Sequence, residues 1–192
     1  AAVFTNLTRD HLDYHQTMER YFEAKRKLFF GVEGPPPESS ILNLDDERGA
    51  LLNAQVPSPK ITYGVREAAD IRVRSLESSM DGLKLTVQTP RGSLLLESAL
   101  VGKPNAYNIL AAVAASIALD IDMEPIRQGV RKLRTISGRF EKVDCGQPFA
   151  VVVDYAHTDD ALRNVITAAR GLARRRVITV FGCGGDRDRT KR

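Results

Sequence analysis

Four groups of residues have types and spacings that could do chemistry, and the first pairs His11 with Lys25. On a helix of about 3.6 residues per turn, Met18, Tyr21, Phe22, Leu28, Phe29 and Val32 form one apolar stripe. Glu19, Arg20, Glu23, Arg26 and Lys27 lie opposite, and Lys25 falls in the middle of the stripe. An unpaired ammonium there costs on the order of several kcal/mol, so Lys25 must snorkel, be paired, be deprotonated or be chemically modified. The plainer expectation is a lysine that snorkels along its methylene stem and a histidine on a surface loop. The sharper one is a carbamate, formed when the amine reacts with carbon dioxide. Its anionic oxygens, with an imidazole, could hold Mg²⁺.

Asn105 and Asn108 form the second group, in Gly102-Lys103-Pro104-Asn105-Ala106-Tyr107-Asn108. One asparagine there could cap a helix; two at i and i+3 share a face and could present amides to a purine edge. Gly102-Lys103 is not a Walker-type phosphate loop, because Pro104 stands where Ser or Thr is needed and Glu97 where the first glycine belongs. The third group is Asp154-Tyr155-Ala156-His157, after an apolar strand. An acid at that edge suits ribose hydroxyls and a histidine three residues on could face phosphate, although both could equally cap the next helix. The fourth is Gly182-Cys183-Gly184-Gly185-Asp186-Arg187-Asp188-Arg189, where glycines permit close backbone approach and Arg187 offers a planar fork to a carboxylate or phosphate. A surface loop explains it as well.

These groups need elements to position them. Residues 2–7 read as a parallel strand, residues 8–15 as a ligand-binding loop, and Thr17 as the cap of the Lys25 helix. After Pro35-Pro36-Pro37, residues 40–44 read as a strand leading through Asp45-Asp46-Glu47 into a short helix. Strands follow at 60–63, 71–76, 83–89 and 93–98, the last three as a small antiparallel unit with turns at Asp81-Gly82 and Pro90-Arg91-Gly92. Helices are predicted over 105–119 and 124–133, the second with Ile126, Val130 and Leu133 inward. Beyond a hinge at Gly138 come strands at 140–143 and 149–154, a helix at 160–172 and a strand at 176–181, the order of a parallel α/β unit. A domain boundary is expected near Ser137, giving 1–137 and an incomplete 138–192.

Composition narrows the function classes. The chain has 192 residues, 43% hydrophobic, enough for a packed core, and a net charge of +4. Its basic clusters, at 163–176 and 187–192, lack the interleaved aromatics that stack bases, so solvated helix faces or anion sites are favoured over nucleic acid. Cys145 and Cys183 match no metal-ligand spacing and suit a reducing compartment. No apolar run approaches the ~20 residues of a membrane span, and no signal peptide is present, so a cytoplasmic location is expected. Because residues 1–7 begin directly as a strand, the chain is expected to be cut from something longer.

In this order the four groups resemble the Mur ligases, most closely the UDP-N-acetylmuramoyl-tripeptide synthetases of the MurE type. Phe4-Thr5-Asn6-Leu7-Thr8-Arg9-Asp10-His11-Leu12-Asp13-Tyr14-His15 is similar to that family's central-domain segment, and Tyr21-Phe22-Glu23-Ala24-Lys25 to its carbamylated-lysine helix. The likeness continues through Asn43-Leu44-Asp45-Asp46-Glu47, the paired asparagines, Ser137-Gly138-Arg139-Phe140-Glu141, Val152-Val153-Asp154-Tyr155-Ala156-His157-Thr158 and Phe181-Gly182-Cys183-Gly184-Gly185-Asp186-Arg187-Asp188. Asp159 stands where the family usually has proline and Pro104 where an aromatic is common. The family's phosphate-binding loop belongs upstream of residue 1, and the motif that selects the added amino acid downstream of residue 192.

The resemblance implies an α/β fold: part of a central ATP-binding domain, with a mostly parallel sheet and a small antiparallel unit, then the start of a Rossmann-like C-terminal domain. It implies a monomeric parent enzyme that uses ATP and Mg²⁺ to add diaminopimelate or lysine to UDP-N-acetylmuramoyl-L-alanyl-D-glutamate through an acyl phosphate, with the fragment alone inactive. Carried over by motif, His11 and carbamylated Lys25 would be catalytic and serve magnesium. Asn105 and Asn108 would meet adenine, and Arg139, Asp154 and His157 ribose and phosphates. Arg187, with Asp186 beside it, would meet the incoming amino acid. Another Mur-type or a folylpolyglutamate or cyanophycin synthetase-like ligase, or a non-catalytic nucleotide-binding module, stays open at this point.

Overall fold

In the computed structural model, which describes residues 1–32, 34–57 and 59–182, a six-stranded sheet runs in simple sequence order. Strands β1 (Ala2–Phe4), β2 (Ser40–Asn43), β3 (Lys60–Gly64) and β4 (Ile71–Ser79) are parallel neighbours, and β4, β5 (Gly82–Thr89) and β6 (Gly92–Ser98) pair antiparallel. The antiparallel strands are thus continuous with the parallel ones. The expected turns at Asp81-Gly82 and Pro90-Arg91-Gly92 join them.

Helices cover the two faces unequally. Helices α2 (Met18–Phe30) and α3 (Glu47–Gln55) pack Phe22, Phe29 and Leu52 against Ala2, Phe4 and Leu42. On the opposite face α4 (Lys103–Ala118) and α5 (Met123–Lys132) lay Ala106, Ile109, Leu110, Val113, Ala114 and Ile126 against Ile41, Tyr63, Ile71, Leu83, Leu85, Val87, Leu94 and Leu96. Successive side chains of a strand point to opposite faces, so Ile41 and Leu42 enter different cores and β2 is buried throughout. The alanines of α4 let its backbone approach the sheet closely, and Arg91 in the β5–β6 turn donates to the carbonyls of Ile117 and Ile121 at that helix's C-terminal end.

Gly49 is required by contact: a Cβ there would lie 1.9 Å from the Asn43 carbonyl oxygen, so only glycine lets α3 dock on the end of β2. Three expectations change. Residues 5–7 leave the β1 ladder because side chains, not a neighbouring strand, take their backbone groups. In α2 only Phe22 and Phe29 are buried, while Leu28 and Val32 are 60% and 62% exposed. Lys25 lies three residues from Phe22, about 60° round the helix. It is half-buried on the flank of the apolar face and not at its centre.

After α5, residues 133–140 lead to an antiparallel pair, β7 (Glu141–Val143) with β8 (Val151–Val153), and then α6 (Asp159–Leu172). The strand expected over 176–181 does not form: those residues carry no regular secondary structure, and Val180 is 94% exposed. An apolar run becomes a strand only where a neighbour accepts its ladder, and among the described residues β8 pairs only with β7. Among the described residues no helix is long and apolar enough to cross a membrane.

Candidate functional site

The site is built at the carboxyl end of the parallel strands, where side chains replace ladder hydrogen bonds. Asn43 donates from Nδ2 to the Thr5 carbonyl at 2.7 Å, the Tyr63 hydroxyl donates to the Phe4 carbonyl at 3.2 Å, and Asp46 accepts from the Leu7 N–H at 3.1 Å. Asp46 also caps α3, its other oxygen accepting from Arg48 and Gly49. Together they fix the exit of β1 and aim residues 8–15. Burial in this network pushes the Tyr63 phenol far up, reinforced by the charge of Asp46.

Asp45 is the second tie. Its side chain, 2% exposed, accepts from the Val65, Arg66 and Glu67 N–H groups at 2.8, 3.0 and 2.8 Å and from the Tyr107 hydroxyl at 2.7 Å. Burial raises its pKa, but the Tyr107 hydroxyl and the three backbone donors outweigh that and hold the carboxyl below its usual range. The same contact acts in reverse on Tyr107, whose phenol is pushed up to about 12 by burial first and by Asp45 second. Asp45 therefore joins the β3–β4 loop to the start of α4.

Residues 8–15 end in a one-turn helix, α1 (Leu12–His15), with none of its residues buried. It is bracketed by left-handed backbone at His11 (φ 53°) and positive φ at Gln16 (66°), conformations costing roughly 1–2 kcal/mol each in residues other than glycine. The His11 imidazole Nε2 lies 3.4 Å from the Asp10 carboxylate and its ring meets the edge of Tyr21 at 5.9 Å. Tyr21 also stacks on His15 at 4.8 Å and carries the Lys25 Nζ 5.0 Å from its ring centroid. Of the alternatives open for Lys25, the free side chain takes the plainer one. It snorkels, satisfied by an aromatic face and by solvent.

The third expected set meets the first. His157 Nε2 lies 4.0 Å from the same Asp10 oxygen that faces His11, so residues 146 positions apart in sequence share one carboxylate. Asp154 accepts from the Phe140 N–H at 2.7 Å and from the Ala156 N–H at 2.8 Å, holding the connection where Phe140 itself has φ 49°. Thr158, not Asp154 or His157, caps α6. Arg139 is exposed, its guanidinium 5.5 Å from the Tyr155 ring centroid.

Asn105 is 5% exposed and occupied at both ends, donating to the Val101 carbonyl at 2.8 Å and accepting from Asn108 at 3.2 Å. Gly102 is the N-cap of α4, with no side-chain cap bond. Asn108 is the exposed member of the pair. Asp186 and Arg187 lie outside the described residues. Among those described, no three His, Cys, Asp or Glu side chains converge as a metal cluster. The possible oxygen and nitrogen donors that come together are Asp10 and His11, 3.4 Å apart.

Comparison with known proteins supplies the deciding observation: the Mur ligase middle domain matches residues 1–116, and the Mur ligase, glutamate ligase domain matches residues 138–192. The chain belongs to the Mur ligase family. It is 55% identical over 191 residues to a UDP-N-acetylmuramoyl-L-alanyl-D-glutamate--2,6-diaminopimelate ligase of Solibacter usitatus and 46% identical over 194 residues to that of Geobacter metallireducens. These alignments take in 100% and 99% of this chain but only 39% and 38% of the relatives, so the chain spans about two fifths of their length. A solved structure of a ligase of the same name superposes with a TM-score of 0.73 at 35% identity, over 98% of this chain and 39% of the other.

Four residues of this Mur ligase segment escaped the sequence reading of single roles: Asp10, Tyr21, Asp45 and Tyr107. Asp10 adjoins His11, and an acid next to a histidine is a usable signal. Tyr21 was indistinguishable from a core residue of the α2 stripe. Asp45 and Tyr107 are 62 positions apart, and no local pattern joins them.

Proposed function

We propose that this Mur ligase segment is part of a cytoplasmic, monomeric ATP-dependent ligase that adds a diamino acid, diaminopimelate or lysine, to UDP-N-acetylmuramoyl-L-alanyl-D-glutamate. Residues 1–137 form part of the central ATP-binding domain and residues 138–192 the start of the C-terminal domain. In the reaction the substrate carboxylate takes the γ-phosphoryl group of ATP, releasing ADP, and the incoming amine displaces phosphate from the acyl phosphate to form the amide. The observation that carries this reading is the convergence of His11 and His157 on Asp10, beside Lys25, in a chain 55% identical to a ligase of that name.

The chain's own residues contribute position and charge. Bound there, Mg²⁺ supplies charge neutralisation for the transferring phosphoryl group, and His11, with Lys25 as its carbamate, would hold it. His157 Nε2 lies 4.0 Å from the same carboxylate, which supports a reaction centre shared by the two units. Asn108 faces the purine while Asn105 braces it; Arg139 and Asp154 attend the ribose and phosphates, and Arg187 with Asp186 the carboxylate of the added amino acid.

The test is ATP-dependent ligation by the complete protein encoded around this chain, with the muramoyl dipeptide and either diaminopimelate or lysine. Product with one of the two is expected, and negligible turnover by residues 1–192 alone. No product with any amino acid would sink the reading. Product only with a folate or another Mur-type acceptor would move it within the ligases.

A further inference from the structure

The contacts of one aromatic ring link the candidate ligands to one another. Tyr21 lies in the first turn of α2, its N–H bonded to the Thr17 carbonyl, so its backbone is fixed by the capped helix start. Its ring receives three side chains: His15 stacked at 4.8 Å with 17° between planes, His11 edge-on at 5.9 Å, and the Lys25 Nζ 5.0 Å from the centroid. Tyr14 extends the stack, meeting His15 edge-on at 4.8 Å. Helix α1 buries none of its residues, so the hydrophobic core does not hold it. It is short, bracketed by two positive-φ residues, and tied by its own backbone bonds, the Asp10 contacts and this stack.

We propose that Tyr21 is a positioning residue, an aromatic platform that fixes His11 and His15 against the start of α2, with the free Lys25 amine seated on the same ring. The proposal rests on the ligase reading for the importance of His11, but not for the platform itself. The physical logic is that a stacked imidazole loses rotamers that solvent would otherwise leave free; the cation over the ring face adds to this only in the free amine, so in the ligase the platform acts through the two imidazoles. A helix i, i+4 relation fixes where Lys25 meets Tyr21, and the stack carries that reference to α1. No hydrogen bond from the Tyr21 hydroxyl is involved in these contacts, so phenylalanine should serve and an aliphatic residue should not.

The experiment compares wild type, Tyr21→Phe and Tyr21→Leu in two settings. In the 192-residue chain, NMR should show ring-current displacement of the His15 and Lys25 side-chain signals and cross-peaks from the residue-21 ring to His11 and His15. These should persist in Tyr21→Phe and vanish in Tyr21→Leu, while the methyl signals of Leu85 and Leu96 stay in place as proof of folding. In the complete ligase, Tyr21→Leu should lower kcat by about tenfold or more with little change in KM for the amino acid, and Tyr21→Phe should restore it. Wild-type His15 and Lys25 signals free of ring-current displacement, or an unaltered kcat in Tyr21→Leu, would overturn the proposal. If the wild-type complete protein does not ligate, the functional reading fails, and the NMR comparison still decides the platform.

Discussion

In the parallel half of the sheet, β2 buries Ile41 and Leu42 in cores on opposite faces; in the antiparallel half, β5 buries Leu83, Leu85 and Val87 on one face and leaves Lys84 exposed. The parallel strands are three to five residues long up to β3, whereas β4 to β6 run seven to nine. The parallel strands stop early because Asn43, Asp45, Asp46 and Tyr63 take over the backbone groups beyond their carboxyl ends. Loops held by side chains can be aimed, and the candidate site sits there. The antiparallel half is a longer ladder, broken by one register shift between Val73 and Ser75, and its packed face supports α4 and α5.

That contrast can be broken most forcefully in the ladder. Leu85→Ala removes a fully buried side chain from the face under α4 and should cost about 2–5 kcal/mol in urea unfolding. Leu95→Ala, at a position 49% exposed on the adjacent strand, should cost at most about 0.5 kcal/mol. Equal losses would mean that both faces of this half are covered.

Asp45→Ala comes next. It strips acceptors from three backbone N–H groups and the Tyr107 hydroxyl, so a loss of about 2–3 kcal/mol is expected, with faster amide exchange at residues 65–67. By contrast, Glu124 on α5 is exposed, although hydrogen bonds from Arg127 and Gln128 hold its carboxyl near 2, and Glu124→Ala should leave stability close to wild type. A large effect there would blur the distinction between a buried tie and a surface pair.

The Asp45–Tyr107 tie also predicts a pH dependence with a definite sign. Asp45 has a folded pKa below its ordinary 3.8, so its stabilisation is present above that value and is lost as pH falls through the lowered one. Tyr107 is raised from 10 to about 12, so its contribution is complete below pH 10 and is lost as pH rises toward 12. Tyr107→Phe should cost about 1 kcal/mol at neutral pH and flatten the alkaline limb, measured by thermal unfolding across pH. An unchanged alkaline limb would show that the hydroxyl is not the coupled group.

The smallest stability effect is expected at Asn108→Ala, an exposed position on α4, within about 0.5 kcal/mol. In the complete ligase the same change should weaken nucleotide binding about tenfold, a loss on the scale of one hydrogen bond to a purine. Asn105→Ala should reverse the balance, costing about 1–3 kcal/mol of stability, since it leaves the Val101 carbonyl without its donor.

Much of the fold was legible because periodicity and turn chemistry are local. The alternation over β4 to β6, Asp81-Gly82, the Thr17 cap and the alanine-rich α4 all state their structure within a few residues. The strand expected at 176–181 was misread for a non-local reason: its apolar residues satisfy the pattern, but a strand also needs a neighbour. Lys25 was misread because a helical wheel ranks positions by angle without knowing how wide the contact is; only Phe22 and Phe29 are buried, so the true stripe is narrow.

By itself the sequence determined which residues could do chemistry and the order of elements carrying them, because residue type, capping and hydrophobic period are properties of short segments. The tertiary structure alone decided their partners. Asp10 receives His11 from the next position and His157 from the loop after β8, Asp45 receives Tyr107 from across the core, and Asn105 turns inward so that Asn108 faces out. Such pairings depend on where the crossovers return the chain, and a carboxylate between two imidazoles has no signature until packing brings the three together.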